Sequence, residues 1–201
     1  MAFVILDTET TGVDDRAQVV EVGIIDSNGQ ELYNQLICPT VPIDPSASAV
    51  NGITQEMLRD QPSFAQELDK IISIVGGRRV MCYNTPFDYR LMIQSAQTSH
   101  QKQDLRRMFE GSMDMMQIFM DYIKIPASRG LSLKLSEAAE LMRIESVQDH
   151  RAVGDCQMTL ALYNAVAARP QPNLDLLHEE LLAVVPYWKA RNIKKLLYLG
   201  M

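Results

Sequence analysis

Phe3-Val4-Ile5-Leu6-Asp7-Thr8-Glu9-Thr10-Thr11-Gly12 is the stretch on which the reading of this chain turns. Its first four residues are a continuous apolar run that stops at a carboxylate, the pattern of a short central strand buried on both faces. Residues two apart on a strand point to the same side, so Asp7 and Glu9 present their carboxylates together at the strand's end. Two like charges that close are costly without a cation, and hard oxygen donors suit Mg²⁺ or Mn²⁺. Taken alone, Asp-x-Glu also fits a solvated strand end. The Thr10-Thr11-Gly12 that follows favours a site, because a glycine turn lets backbone amides approach a ligand closely.

Outward from this strand, Gln18 to Ile25 and Glu31 to Cys38 read as two further strands. Asp26-Ser27-Asn28-Gly29 joins them, and Asn-Gly is the strongest short hairpin signal. Pro39 to Pro45 breaks the pattern. A helix is predicted over Ser63 to Val75, with Phe64, Leu68, Ile71, Ile72 and Val75 on one face, and Gly76-Gly77 ends it. Arg79 to Tyr83 reads as a fourth strand. Thr85-Pro86 is a cap followed by proline at the first helical position, so Asp88 falls in that helix's first turn. Further helices are predicted over Asp114 to Ile123, Ser132 to Arg143 and Arg151 to Ala167. Three strands followed by alternating helix and strand give an α/β fold with a mixed sheet.

The 201 residues are 47% hydrophobic and 22% charged, enough for one domain with a sizeable core. The boundary is expected at Pro170-Gln171-Pro172, dividing a domain over 1–169 from a helical tail over 170–201. A net charge of −6 argues against tight duplex-wide DNA binding but not against a nuclease, since clustered carboxylates recruit cations that reverse the local sign. Cys38, Cys82 and Cys156 lack the paired spacing of a zinc site or disulfide framework, so three reduced thiols in a cytoplasmic protein is the simpler account. The N-terminus has no basic region before its apolar run and does not read as a signal peptide. No stretch reaches transmembrane length. Met113, Met115, Met116 and Met120 fall at helical spacing and read as adaptable core filler.

Two further motifs carry chemistry. In Tyr83-Asn84-Thr85-Pro86-Phe87-Asp88, Asn84 can tie down the loop by hydrogen bonding and Phe87 offers an aromatic face for a base or sugar. Asp88 alone would also suit a purely structural place at a helix N-terminus. In His150-Arg151-Ala152-Val153-Gly154-Asp155, the histidine and the acid are five apart, which does not put them on one helix face. They converge only if His150 precedes the helix and Asp155 sits one turn inside it.

These motifs together resemble the DnaQ-like 3′-to-5′ exonucleases with four acids and a histidine. Asp7-Thr8-Glu9-Thr10-Thr11-Gly12 is similar to the first family motif throughout, Asn84-x-x-Phe87-Asp88 to the second and His150-Arg151-Ala152-x-x-Asp155 to the third. Val50-Asn51-Gly52-Ile53-Thr54 resembles the family's His-Gly-Ile-Thr, with Asn51 in place of the histidine. The resemblance spans roughly residues 2 to 168. It implies a ribonuclease H-like fold, a five-stranded mixed sheet flanked by helices, with the acids over its centre. It implies catalysis by Asp7, Glu9, Asp88, His150 and Asp155, with the four acids holding two Mg²⁺ or Mn²⁺ ions and His150 taking a proton from water. Thr10, Thr11, Gly12, Ile53, Asn84 and Phe87 would bind the terminal nucleotide.

The function expected is hydrolysis at the 3′ end of single-stranded DNA with release of nucleoside 5′-monophosphates. RNA 3′-end trimming on the same site and a catalytically silent polymerase-accessory module are the alternatives. The tail carries Leu174, Leu177, Leu181, Leu182, Val185 and Trp188, then the cations Lys189, Arg191, Lys194 and Lys195. It reads as a terminal helix packed on the domain with a solvated basic face, or as a contact for nucleic acid, a polymerase or another protein partner.

Overall fold

The computed structural model describes residues 2–125, 132–145, 150–168, 173–186, 189, 190 and 193. Strands β1 (Phe3–Thr10), β2 (Val19–Asp26), β3 (Glu31–Leu36), β4 (Arg79–Cys82) and β5 (Met113–Asp114) form one sheet in the order β3-β2-β1-β4-β5. The first three pair antiparallel, while β4 joins β1 and β5 joins β4 in parallel. This is the five-stranded mixed sheet that the resemblance implies. β1 is central because its apolar residues are buried on both faces, Val4, Ile5 and Leu6 being fully covered. At the β2–β3 hairpin, Asp26 accepts hydrogen bonds from the Asn28 and Gln30 amides, and Gly29 takes the left-handed φ of +86° that the turn needs.

Helices alternate with the later strands. They are α1 (Pro45–Asn51), α2 (Gln55–Leu58), α3 (Phe64–Val75), α4 (Thr85–Ser95), α5 (Ser99–Met108), α6 (Met115–Tyr122), α7 (Leu135–Leu141), α8 (Ala152–Ala168) and α9 (Leu174–Val184). One sheet face, bearing Val4, Leu6, Val22, Ile24, Val80 and Cys82, packs against Phe64, Leu68 and Ile71 of α3, Leu91 and Met92 of α4 and Leu105 of α5. The start of α8 lies on the opposite face, where Cys156 donates weakly to the carbonyls of Ile5 and Gly23.

Several expectations shift. α1 and α2 occupy a segment that shows no helical period, and α5 is likewise additional. α4 is capped by Asn84, so Thr85 and Pro86 are its first two residues. Asp114 ends β5 rather than starting a helix, and Met113 lies on that strand, while Met115 and Met120 are core residues of α6.

The chain divides into two compact units, residues 1–114 with 148–157, and residues 115–147 with 158–201. The first holds the sheet and every motif above. In the second, α7 packs with α9, and Leu177 and Leu181 are buried. Lys189, expected on a solvated basic face, is instead buried in an ion pair with Glu137. The expected boundary at Pro170–Pro172, and Trp188, Arg191, Lys194 and Lys195 of the tail, lie outside the described residues. No described helix is long and apolar enough to cross a membrane.

Candidate active site

Side chains alternate along β1, so Asp7 and Glu9 share the face on which α8 begins, and Thr8 faces the other way. α8 brings the third acid. Asp155 stands in its first turn, with its amide on the Arg151 carbonyl at 3.0 Å. One oxygen each from Asp7, Glu9 and Asp155 can be chosen so that all lie within 4.8 Å of one another. Three half-buried carboxylates this close, with only oxygen to offer, fit a hard divalent cation.

Asp88 reaches the same strand from the opposite side. The β1–β4 ladder ends at Ile5 and Met81, and α4 follows β4 to cover the strand beyond. There the buried Asp88 accepts from the Thr8 amide at 3.1 Å and the Thr8 hydroxyl at 2.9 Å, both on Oδ1. Asp88 is not one of the three mutually close acids, yet its charge acts on Asp7. The start of α4 is itself fixed by β5, since Thr85 donates its amide to the Asp114 carboxylate and its hydroxyl to the Met113 carbonyl.

The electrostatics record how crowded these acids are. Burial, then the charges of Asp88, Asp155, Glu9 and Glu21, hold the Asp7 carboxyl well above the usual carboxylate range. Burial and Asp155 push Glu9 up to about 8, against a hydrogen bond from Asn51. Asp88 is pushed up to about 7 by burial, although the bonds from Thr8 oppose this. A bound cation reverses the balance by favouring the charged carboxylates.

His150 is exposed and stands two residues before α8, with a left-handed φ of +43°. It thus precedes the helix and Asp155 lies within the first turn, the arrangement that their five-residue spacing demands.

The expected substrate residues divide. Thr8 to Asp14, Arg16, Ala17, Val41 to Ala47, Asn51 and Phe87 contribute to a cleft of about 940 Å³ beside the acids. Thr10 and Thr11 are buried and their hydroxyls are used within the turn, Thr10 donating to the Gly12 carbonyl and Thr11 accepting from the Gln18 amide. They shape the wall rather than offer free hydroxyls. Gly12 has no left-handed φ, and a Cβ there would meet only Asp44 at 3.8 Å, so the turn itself does not require glycine. Ile53 is fully covered among Val20 and Leu58 and forms part of the core under the cleft. Asn84 makes no capping bond with its side chain; its carbonyl holds the Phe87 and Asp88 amides. Phe87 lines the cleft under the Arg90 guanidinium, 5.4 Å from the ring centre.

Sequence reasoning marked Asn51 only as a replacement for the family histidine and passed over Glu21. Asn51 is buried and ties the end of β1 to the turn before α2, donating to the Thr10 carbonyl and accepting from the Ile53 amide. Glu21 is buried opposite Glu9 on β2 and paired with Arg151. A lone carboxylate inside the apolar run Val19 to Ile25 was the available signal.

Residues 4–163 match the exonuclease family named RNase T, more than three quarters of the chain. The chain belongs to the exonuclease family. The exonuclease is 35% identical over 170 residues to the uncharacterized exonuclease CP81 of Escherichia phage 186, covering 82% of this chain and 87% of that one. It is 33% identical over 99 residues to the DNA polymerase III subunit epsilon of Pasteurella multocida, but this covers 44% of the exonuclease and 39% of the subunit. Its fold is similar to that of exonuclease X, solved in complex with 5′ overhanging duplex DNA, with a TM-score of 0.59, 20% identity and coverage of 87% and 99%. The ribonuclease H-like architecture is therefore that of this exonuclease.

Proposed function

We propose that this exonuclease works from the 3′ end of single-stranded DNA, needs divalent metal, and releases nucleoside 5′-monophosphates. The observation that carries the reading is the convergence of Asp7, Glu9 and Asp155 oxygens within 4.8 Å, with Glu9 also lining a cleft roomy enough for a nucleotide. Asp7, Glu9 and Asp155 would hold the metal, with Asp88 acting beside them directly or through water, and the all-oxygen set suits two Mg²⁺ or Mn²⁺ ions. When bound, such ions supply charge to offset that developing on the attacking and leaving oxygens. His150 accepts the proton of the attacking water, the water oxygen bonds to phosphorus, and the bond from phosphorus to the 3′ oxygen breaks with that oxygen taking a proton from solvent. Phe87 packs against the terminal nucleoside. DNA is favoured because the epsilon subunit belongs to a DNA polymerase and exonuclease X was solved with DNA.

The test is degradation of 5′-labelled single-stranded DNA by wild type and Asp7→Ala, with Mg²⁺ or EDTA, beside a matched RNA. Stepwise shortening that EDTA and the substitution both abolish is expected. Equal activity in Asp7→Ala overturns the metal assignment, and faster trimming of RNA overturns the DNA preference.

A further inference from the structure

Glu21 is 1% exposed, and its oxygens receive Arg151 as a fork. Nε bonds Oε1 at 3.1 Å and Oε2 at 2.9 Å, and Nη2 also reaches Oε1. Oε2 accepts in addition from the Ala152 amide at 3.1 Å, one of the donors that the first turn of α8 leaves without a helical partner. Two residues along β2 and on the same face, Gly23 lacks the Cβ that would stand 2.6 Å from the Ala152 carbonyl carbon and 2.7 Å from the Val153 nitrogen. Glu21 and Gly23 together seat residues 151–153 on β2, and His150 adjoins that seat.

Stability alone gives little reason for such a pair. An ion pair with its carboxylate buried contributes about as much as apolar residues of the same volume, and this one, part-exposed on the Arg151 side, adds a carboxylate opposite Glu9, next to acids that already repel. What the seat does secure is the backbone of its neighbour. His150 has φ +43°, a conformation uncommon for a side-chain-bearing residue and one that a fixed neighbouring backbone favours.

We propose that Glu21 and Arg151 are positioning residues whose fork holds His150 in this left-handed conformation, presenting its imidazole to the attacking water. The inference rests on the exonuclease mechanism proposed above. Both act through His150 rather than on substrate.

The test uses the full chain with Glu21→Gln/Arg151→Met, which removes both charges together so that neither is left buried alone. Two readouts are taken: steady-state kinetics on single-stranded DNA with Mg²⁺, and ¹⁵N-histidine NMR of the metal-free protein. The chain has three histidines, so His100 and His178 serve as fold controls. The expected result is a kcat lower by about 10–100-fold, the usual effect of losing a supporting contact around a metal site, with KM within about twofold. His150 signals move while the controls stay. Unchanged His150 signals or unchanged kcat, with the controls in place, overturn the proposal. If the controls also move, Arg151→Lys, which keeps the charge without the fork, decides on the same two readouts. Should wild type leave every 3′ end intact, the functional reading fails, and the NMR comparison alone still decides the seat.

Discussion

Asp7 sits where burial and four other carboxylates all resist its charge. With Glu9 pushed up to about 8 and Asp88 to about 7, the folded metal-free protein binds more protons than the unfolded chain across the range between ordinary carboxylate values and these. Stability therefore falls as pH rises through that window, the reverse of a salt-bridged acid. Measured by thermal denaturation in EDTA, wild type is expected to lose Tm relative to Glu9→Gln between about pH 5 and pH 8, and Mg²⁺ to close the gap. Asp7→Asn should raise the metal-free Tm, each ~1 kcal/mol giving about 2–4 °C in a chain of this size, while abolishing nuclease activity. The acids themselves were legible because each lies in a short motif. Their unequal standing was not, since only the fold turns Asp88 Oδ1 onto Thr8 and leaves Asp7, Glu9 and Asp155 facing one another.

Elements show where pattern-reading succeeds and where it stops. β1, β2 and β4 show in the sequence as apolar runs and α3 by its period of 3.6, whereas α1 and α2 are seven and four residues long, too short to display one. Asp44 does cap α1 ahead of Pro45, a start signal hidden among prolines. β5 has two residues and exists only through its pairing with β4. Close approach of β2 to α8 yields a prediction: Gly23→Ala must displace backbone at Ala152 and Val153, so urea denaturation should show a loss of about 1–3 kcal/mol. At α4, Arg90 covers Phe87 and bonds the Val13 and Asp14 carbonyls, joining the cleft's aromatic to its opposite loop. Arg90→Ala should raise KM about tenfold, equivalent to ~1.4 kcal/mol, with kcat nearly unchanged.

Across the whole molecule, a net charge of −6 limits phosphate contact to the few groups near the cleft. Oligonucleotide binding measured in Ca²⁺ should fall with salt at a log–log slope of about −2, as three neutralised phosphates give at about −0.7 each. A chain ending at residue 169 would lose Lys189 and leave Glu137 with its charge buried. We expect circular dichroism of that truncation to show a markedly lower Tm, since stranding one member of a buried pair costs about 3–5 kcal/mol. The sequence by itself determined the fold class, the hairpin and the central strand, and offered five polar residues as a candidate site, because period, turn chemistry and motif spacing are local properties of a chain. The tertiary structure alone decided that Glu21 answers Arg151 across 130 residues, that Gly23 makes room for α8, that Ile53 is core rather than cleft, and that Lys189 is buried. Those depend on which faces meet, and non-local packing leaves no spacing to read.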